Sequence, residues 1–285
     1  MPALRSIRPA VGSVARNPVL VAVSALFALA QLPDLLVRPT ASPELSAAVS
    51  ALTFGVLILV VPFFQGGLLA MADEALDRRT GVATLVAAGR DHYLPLLVAY
   101  LALLGVSLAF GFLLVFGTVL GVAGSVMGGP AGFVRIPAED VTLVAVLGII
   151  AVGLFGAYLL VTFFLQFYAH AVVVEDAELV AAFRRSVRLV RSNLGAALLY
   201  TVLLAAVGAP FGLLVAAASL TLAPPAAMDT TPAWLPSVEV GTLGTVGVGV
   251  GVVAVTGLLG ALWTTYSVAF YRALAERTPA RGRQA

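Results

Sequence analysis

Apolar residues in this chain come in long blocks rather than alternating with polar ones. Five blocks, Leu45–Ala72, His92–Val134, Val141–Val174, Ser192–Met228 and Val240–Tyr271, contain no Asp, Glu, Lys or Arg. A shorter sixth runs from Asn17 to Pro33. A helix crosses the hydrocarbon core of a bilayer with about 20 mostly apolar residues. Each block therefore accommodates one span, and none accommodates two with a turn. The pattern predicts an all-α integral membrane bundle of six transmembrane helices, at 18–37, 47–71, 93–121, 142–170, 194–221 and 242–270. The whole chain, 1–285, reads as one membrane domain with a short tail over 272–285.

Between the blocks, three short segments have a helical period. Over Asp176–Asn193, Leu179, Phe183, Val187 and Val190 recur at helical spacing, and Arg184, Arg185, Arg188 and Arg191 gather on the other side. A helix with one greasy and one cationic face lies in the headgroup layer and attracts anionic lipid. Near the N-terminus, Leu4, Ile7, Val11 and Val14 form one face with Arg5, Arg8 and Arg16 off it, and Pro9 is expected to break the helix. The third segment, Thr80–Arg90, carries Val82, Leu85, Val86 and Gly89 on a face.

Charge gives an orientation. The chain has 16 basic residues, all arginine, and only Arg38 and Arg135 fall on one side of the predicted spans. Arginine-rich segments stay in the cytoplasm, so both termini are expected inside the cell membrane. The composition, 61% hydrophobic and 11% charged, excludes a disordered chain, a nucleic-acid-binding protein and an ordinary soluble enzyme. With no Cys, the chain forms no disulfide and no thiolate site. The apolar run ending at Ala28-Leu29-Ala30 also fits a signal peptide. The repeat described next needs the first span, so retention is expected.

Asp73-Glu74-Ala75 matches Glu175-Asp176-Ala177 at an offset of 102 residues, and Asp91 falls on Asn193 at the same offset. Arg16-Asn17 looks like Arg90-Asp91, and Ala273–Thr278 resembles Ala75–Thr80. These matches suggest three hairpin repeats at about 3–72, 79–174 and 178–271. Each would hold a cytoplasmic amphipathic segment, a span out and a span back.

Inside the spans, Gly247 and Gly251 form one GxxxG pair and Gly117 and Gly121 another, expected to bring helices into close contact. Pro62 and Pro210 are expected to kink spans two and five. No span carries a carboxylate or arginine at its centre, which ion-coupled carriers normally need. Gln65 and Gln166 occupy near-equivalent repeat positions, placed to face each other in a polar bundle interior with His170. Two such amides serve as hydrogen-bonding glue between helices, or as ligands for a polar solute in a transporter. His92 and His170 are the two histidines, too few for the three or four converging ligands of a metal site. No HExxH, GxSxG or phosphate-binding loop is present, so neither an enzyme nor a cofactor is expected.

Val174-Glu175-Asp176, Ala182-Phe183-Arg184-Arg185-Ser186-Val187-Arg188 and Ser192-Asn193 resemble a pattern in six-helix bacterial and archaeal membrane domains. These include the membrane domain attached to some glycerophosphodiester phosphodiesterases. Arg16–Leu20, Pro62–Gly67 and Met71–Asp77 are similar to segments of uncharacterised haloarchaeal membrane proteins. The resemblance implies a six-helix fold without established chemistry, and no catalytic residue carries over. The expectation is a non-catalytic membrane module that contacts anionic lipid, or a membrane or cytoplasmic protein partner, through Arg184, Arg185, Arg188 and Arg191. The alternative is a transporter or facilitator for an uncharged or small polar solute.

Overall fold

A computed structural model of the chain describes residues 2–29, 42–126, 141–221 and 242–278. Among these residues all regular structure is helical. In chain order the helices are α1 (Pro2–Arg5), α2 (Ile7–Arg16), α3 (Pro18–Leu29), α4 (Pro43–Asp77), α5 (Val82–Asp91) and α6 (Tyr93–Val126). There follow α7 (Val141–Leu165), α8 (Tyr168–Val174), α9 (Leu179–Ser192), α10 (Leu194–Thr221) and α11 (Thr242–Arg277). Four stretches are long and apolar enough to cross a membrane: Ala47–Asp77, Tyr93–Phe116, Gly148–Val174 and Gly249–Arg277. Two further pairs qualify if each counts as one bent span: Pro2–Arg16 with Pro18–Leu29, bent by 87°, and Leu179–Ser192 with Leu194–Pro210, bent by 100°. The outer end of the first predicted span, from residue 30 on, and the tail beyond Thr278 lie outside the described residues.

The backbone divides into two compact units, 1–97 with 167–285, and 98–166. In the smaller unit, Tyr158 of α7 meets Ser107 of α6 through its hydroxyl at 3.4 Å and Phe110 through its ring at 5.6 Å. In the larger unit, α11 packs along α3, and α4 packs along α5. Both contacts depend on glycine. A Cβ on Gly67 would lie 2.5 Å from the Leu85 carbonyl oxygen, and one on Gly89 would lie 2.9 Å from that of Phe63. A Cβ on Gly257 would sit 2.6 Å from that of Ala25. Small residues let helix backbones approach where lipid supplies no hydrophobic drive.

The GxxxG expectation for span six is corrected here. An added Cβ on Gly247, Gly249 or Gly251 would meet no described atom within 4 Å. The close approach comes further along α11, at Gly257. Gly117 and Gly121 lie on the part of α6 whose side-chain surroundings are outside the described residues.

Two further differences from the sequence pattern have identifiable causes. Pro9 does not break α2 but stands in its first turn. A first-turn proline sacrifices no needed N–H. The break falls three residues earlier, at Ser6, whose hydroxyl donates to the Pro2 carbonyl at 3.1 Å. Pro62 and Pro210 stand inside α4 and α10, where the sequence places them. The fourth predicted span is interrupted between Leu165 and Tyr168. There the Phe167 N–H donates to the Ser186 hydroxyl at 3.1 Å, and the Phe167 side chain is fully buried.

Candidate functional site

Helix α9 carries the four arginines singled out by the sequence, and the structure splits them. Successive helical residues are about 100° apart. Arg184, Arg188 and Arg191 therefore share one arc, and Arg185 points well round from it. The first three are exposed, whereas Arg185 retains only 6% of its accessible surface. It sits on the inward face with Ala182, Ser186 and Leu189, all buried. The predicted greasy face is displaced accordingly. Leu179, Phe183 and Val187 are only half-buried, and Phe183 rests against the Tyr168 ring at 5.3 Å.

Arg185 has a structural partner. Its Nε donates to both Glu175 carboxylate oxygens, at 3.2 and 3.0 Å, and its Nη2 donates to Oε1 at 3.0 Å. Its Nη1 donates to the carbonyl of Thr278. Burial alone would pull this guanidinium below its ordinary value; the hydrogen bonds and charge of Glu175 override that and hold it above. Two turns of backbone make the pairing possible. Asp176, with φ of 52°, occupies the left-handed region that Asp tolerates better than most residues. The Ala177 N–H donates back to the Ala171 carbonyl at 3.1 Å. The chain thus reverses directly after Glu175 and brings α9 over it. Arg185 therefore leaves the expected lipid-facing set, and Arg184, Arg188 and Arg191 remain. With Phe183 and Val187 these three line a shallow depression of about 560 Å³.

At the same end of the larger unit, Asp73, Glu74, Asp77, Asp91 and His92 border a cleft of about 690 Å³. Its charges are largely spoken for. Arg272 donates from Nε to Asp73 Oδ1 at 2.6 Å, from Nη1 to Asp77 Oδ2 at 2.8 Å and from Nη2 to the Asp73 carbonyl at 2.9 Å. Glu74 accepts from Arg78 Nε at 2.8 Å and from the Thr80 hydroxyl at 2.9 Å, and also from Thr84. His92 Nδ1 lies 3.9 Å from Asp176 Oδ1. Among the described residues no three His, Asp or Glu side chains converge in a way that could hold a metal ion.

Of the expected polar interior, Gln65 and His170 belong to the larger unit and Gln166 to the smaller one. The buried Oε1 of Gln65 has no hydrogen-bond partner among the described residues. Neither glutamine lines the two clefts above. His170 is buried among Phe167 and Tyr271, whose ring centroids lie 5.6 and 5.4 Å from its own. Its Nε2 lies 2.9 Å from the Ser267 hydroxyl, which donates in turn to the Thr264 carbonyl at 2.8 Å.

Two asparagines make contacts the sequence did not reveal. Asn17, between α2 and α3, donates from Nδ2 to the Ser13 carbonyl at 2.9 Å, and its Oδ1 accepts from the Thr80 N–H at 3.0 Å. Asn193, between α9 and α10, donates from Nδ2 to the Leu189 carbonyl at 3.1 Å and to the Thr278 hydroxyl at 3.1 Å. Each closes the preceding helix four residues back, and each reaches a threonine just past the end of a long helix. The signal was the likeness of Ala75–Thr80 to Ala273–Thr278, whose last residues are these threonines.

No curated protein and no solved structure matches the chain significantly. A family match does extend over residues 1–274, so it takes in α1 to α10 and nearly all of α11. With its apolar helices, its glycine-packed pairs and its ion-paired helix ends, the chain belongs to the family described as a domain of unknown function, DUF7847.

Proposed function

We propose that the chain is a non-catalytic module of the cell membrane, with six spans in three hairpins and both termini in the cytoplasm. In this reading α2, α5 and α9 lie in the cytoplasmic headgroup layer, and α9 contacts anionic lipid there. The observation that carries it is the outer face of α9. Arg184, Arg188 and Arg191 stand exposed, with no ion pair among the described residues, on a helix bent by 100° from an apolar one. A helix so bent lies across the direction of its neighbour, as an interfacial segment must. The hairpin reading draws on the two asparagine contacts, and on the third short helix, α5, which meets its long successor at His92. The haloarchaeal resemblance is consistent with the same plan.

The test is the lipid shell of the reconstituted full chain. Spin-labelled phosphatidylglycerol should be immobilised at the protein in preference to phosphatidylcholine, and salt should weaken the preference. Replacing Arg184, Arg188 and Arg191 together with Gln should reduce it, at about 1 kcal/mol per arginine. An unchanged preference in the triple variant removes α9 from lipid recognition. Reporters fused after Ala285 and inserted near Gly129 should report opposite sides of the membrane. If they report the same side, the six-span topology is wrong.

A further inference from the structure

A second feature of the larger unit lies away from α9. Helices α10 and α11 flank a groove of about 520 Å³. Its walls are almost wholly apolar, with Leu204, Val207 and Gly208 on one side and Leu259 and Trp263 on the other. The N-terminal segment closes one end. There α1 touches α10 and α2 rests on α11, and Ile7 and Val11 face the opening. Along α11 the lining runs from Thr256 to Tyr266. Ten residues of helix rise about 15 Å. That is half of a hydrocarbon core of about 30 Å, the depth of one leaflet.

The closed end is positively charged. Arg8 follows Ile7 and stands one turn before Val11, and Arg5 stands on the preceding helix; both are exposed. The first acidic residue of the chain is Asp34, so nothing on α1 or α2 neutralises them. An apolar slot one leaflet deep under an uncompensated cationic helix fits an amphiphile with one anionic end.

We propose that this groove binds one acyl chain of an anionic membrane phospholipid, with Arg8 and Arg5 meeting its phosphate. The site is separate from the α9 face and does not depend on that face recognising lipid. It makes the N-terminal helix part of a binding site rather than a mere anchor. Gly208 lies in the groove wall and faces open space, since an added Cβ there would meet no described atom within 4 Å.

The chain has two tryptophans, so Trp234→Phe leaves Trp263, in the groove wall, as the single fluorophore. In bilayers carrying a small fraction of lipid with brominated chains, phosphatidylglycerol should quench Trp263 at a mole fraction about thirty-fold lower than phosphatidylcholine. Gly208→Phe should fill the groove and abolish the excess quenching. Gly212→Phe, one turn further along with equally open surroundings, should leave it intact and controls for folding. Replacing Arg5 and Arg8 together with Gln should bring the two lipids to equal potency. Replacing Arg184, Arg188 and Arg191 with Gln should change nothing, whether or not α9 recognises lipid. A wild-type chain quenched equally by both lipids overturns the anionic site. Protection from both lipids means that protein, such as a second copy, occupies the groove, and that also overturns the proposal. Native mass spectrometry gives an independent reading: one phospholipid should stay with the wild type and the Gly212→Phe variant, and be lost from Gly208→Phe. Retention by Gly208→Phe overturns the groove as the binding site.

Discussion

The bends before α3 and before α10 are built alike and held differently. Each follows an arginine-bearing helix, turns the chain by 87° or 100°, and places an asparagine at the turn. The inner faces diverge. That of α2 is small and neutral, with Ala10, Ser13 and Val14 buried. That of α9 carries Arg185, whose guanidinium is removed from solvent and bound to Glu175. One bend depends on close packing, the other on a charge that must stay paired. The same local geometry can rest on two kinds of energy, and substitutions should tell them apart.

The largest effect should come from stranding the buried charge. Glu175→Ala leaves Arg185 inside without its counterion; because Glu175 is itself exposed, the loss should reach about 3 kcal/mol, the low end for breaking a buried pair. Unfolding in mixed micelles should show that loss, and Arg185→Met in the same background should recover much of it. Without recovery, the pair is not what holds the α9 bend. Next should come Ser13→Leu at the fully buried position on α2. Overpacking there should cost about 1–3 kcal/mol, while Arg16→Gln, with an exposed arginine, should cost little. Equal losses from both would mean that α2 too is held by charge.

The asparagines sharpen the comparison at a smaller scale. Asn17→Ala and Asn193→Ala should each cost about 1 kcal/mol, the net worth of a hydrogen bond or two. Their partners differ, since Asn193 reaches the Thr278 hydroxyl whereas Asn17 accepts from the Thr80 backbone. A double-mutant cycle should therefore show coupling between Asn193→Ala and Thr278→Ala and none between Asn17→Ala and Thr80→Ala. Smallest of all should be Arg188→Gln, whose exposed side chain should leave stability within about 0.5 kcal/mol. A loss comparable to that of Glu175→Ala would place Arg188 in the fold rather than on its surface.

Much of this was legible in the sequence for one reason. Lipid leaves no partner for a bare backbone, so apolar length almost dictates helix position. Helix α10 begins at Leu194 and α6 at Tyr93, where the pattern predicted those spans to start. The amphipathic segments were readable too, because their period is local. Arg185 was harder, although its offset of about 100° from Arg184 was a usable sign. A row of four arginines looks uniform until something opposite claims one of them.

The sequence by itself therefore determined the helical class, the spacing of the apolar helices and the presence of three short amphipathic helices between them. These follow from each residue's own exchange between water and lipid, which needs no knowledge of neighbours. Only the tertiary structure decided which glycines matter, which arginine is buried and how the bends are tied. Gly251 and Gly257 are chemically identical, but only the second has Ala25 against it. Arg184 and Arg185 are identical too, but only one of them turns toward Glu175. Such choices are properties of pairs of residues far apart in the chain, and they arise only when the helices pack.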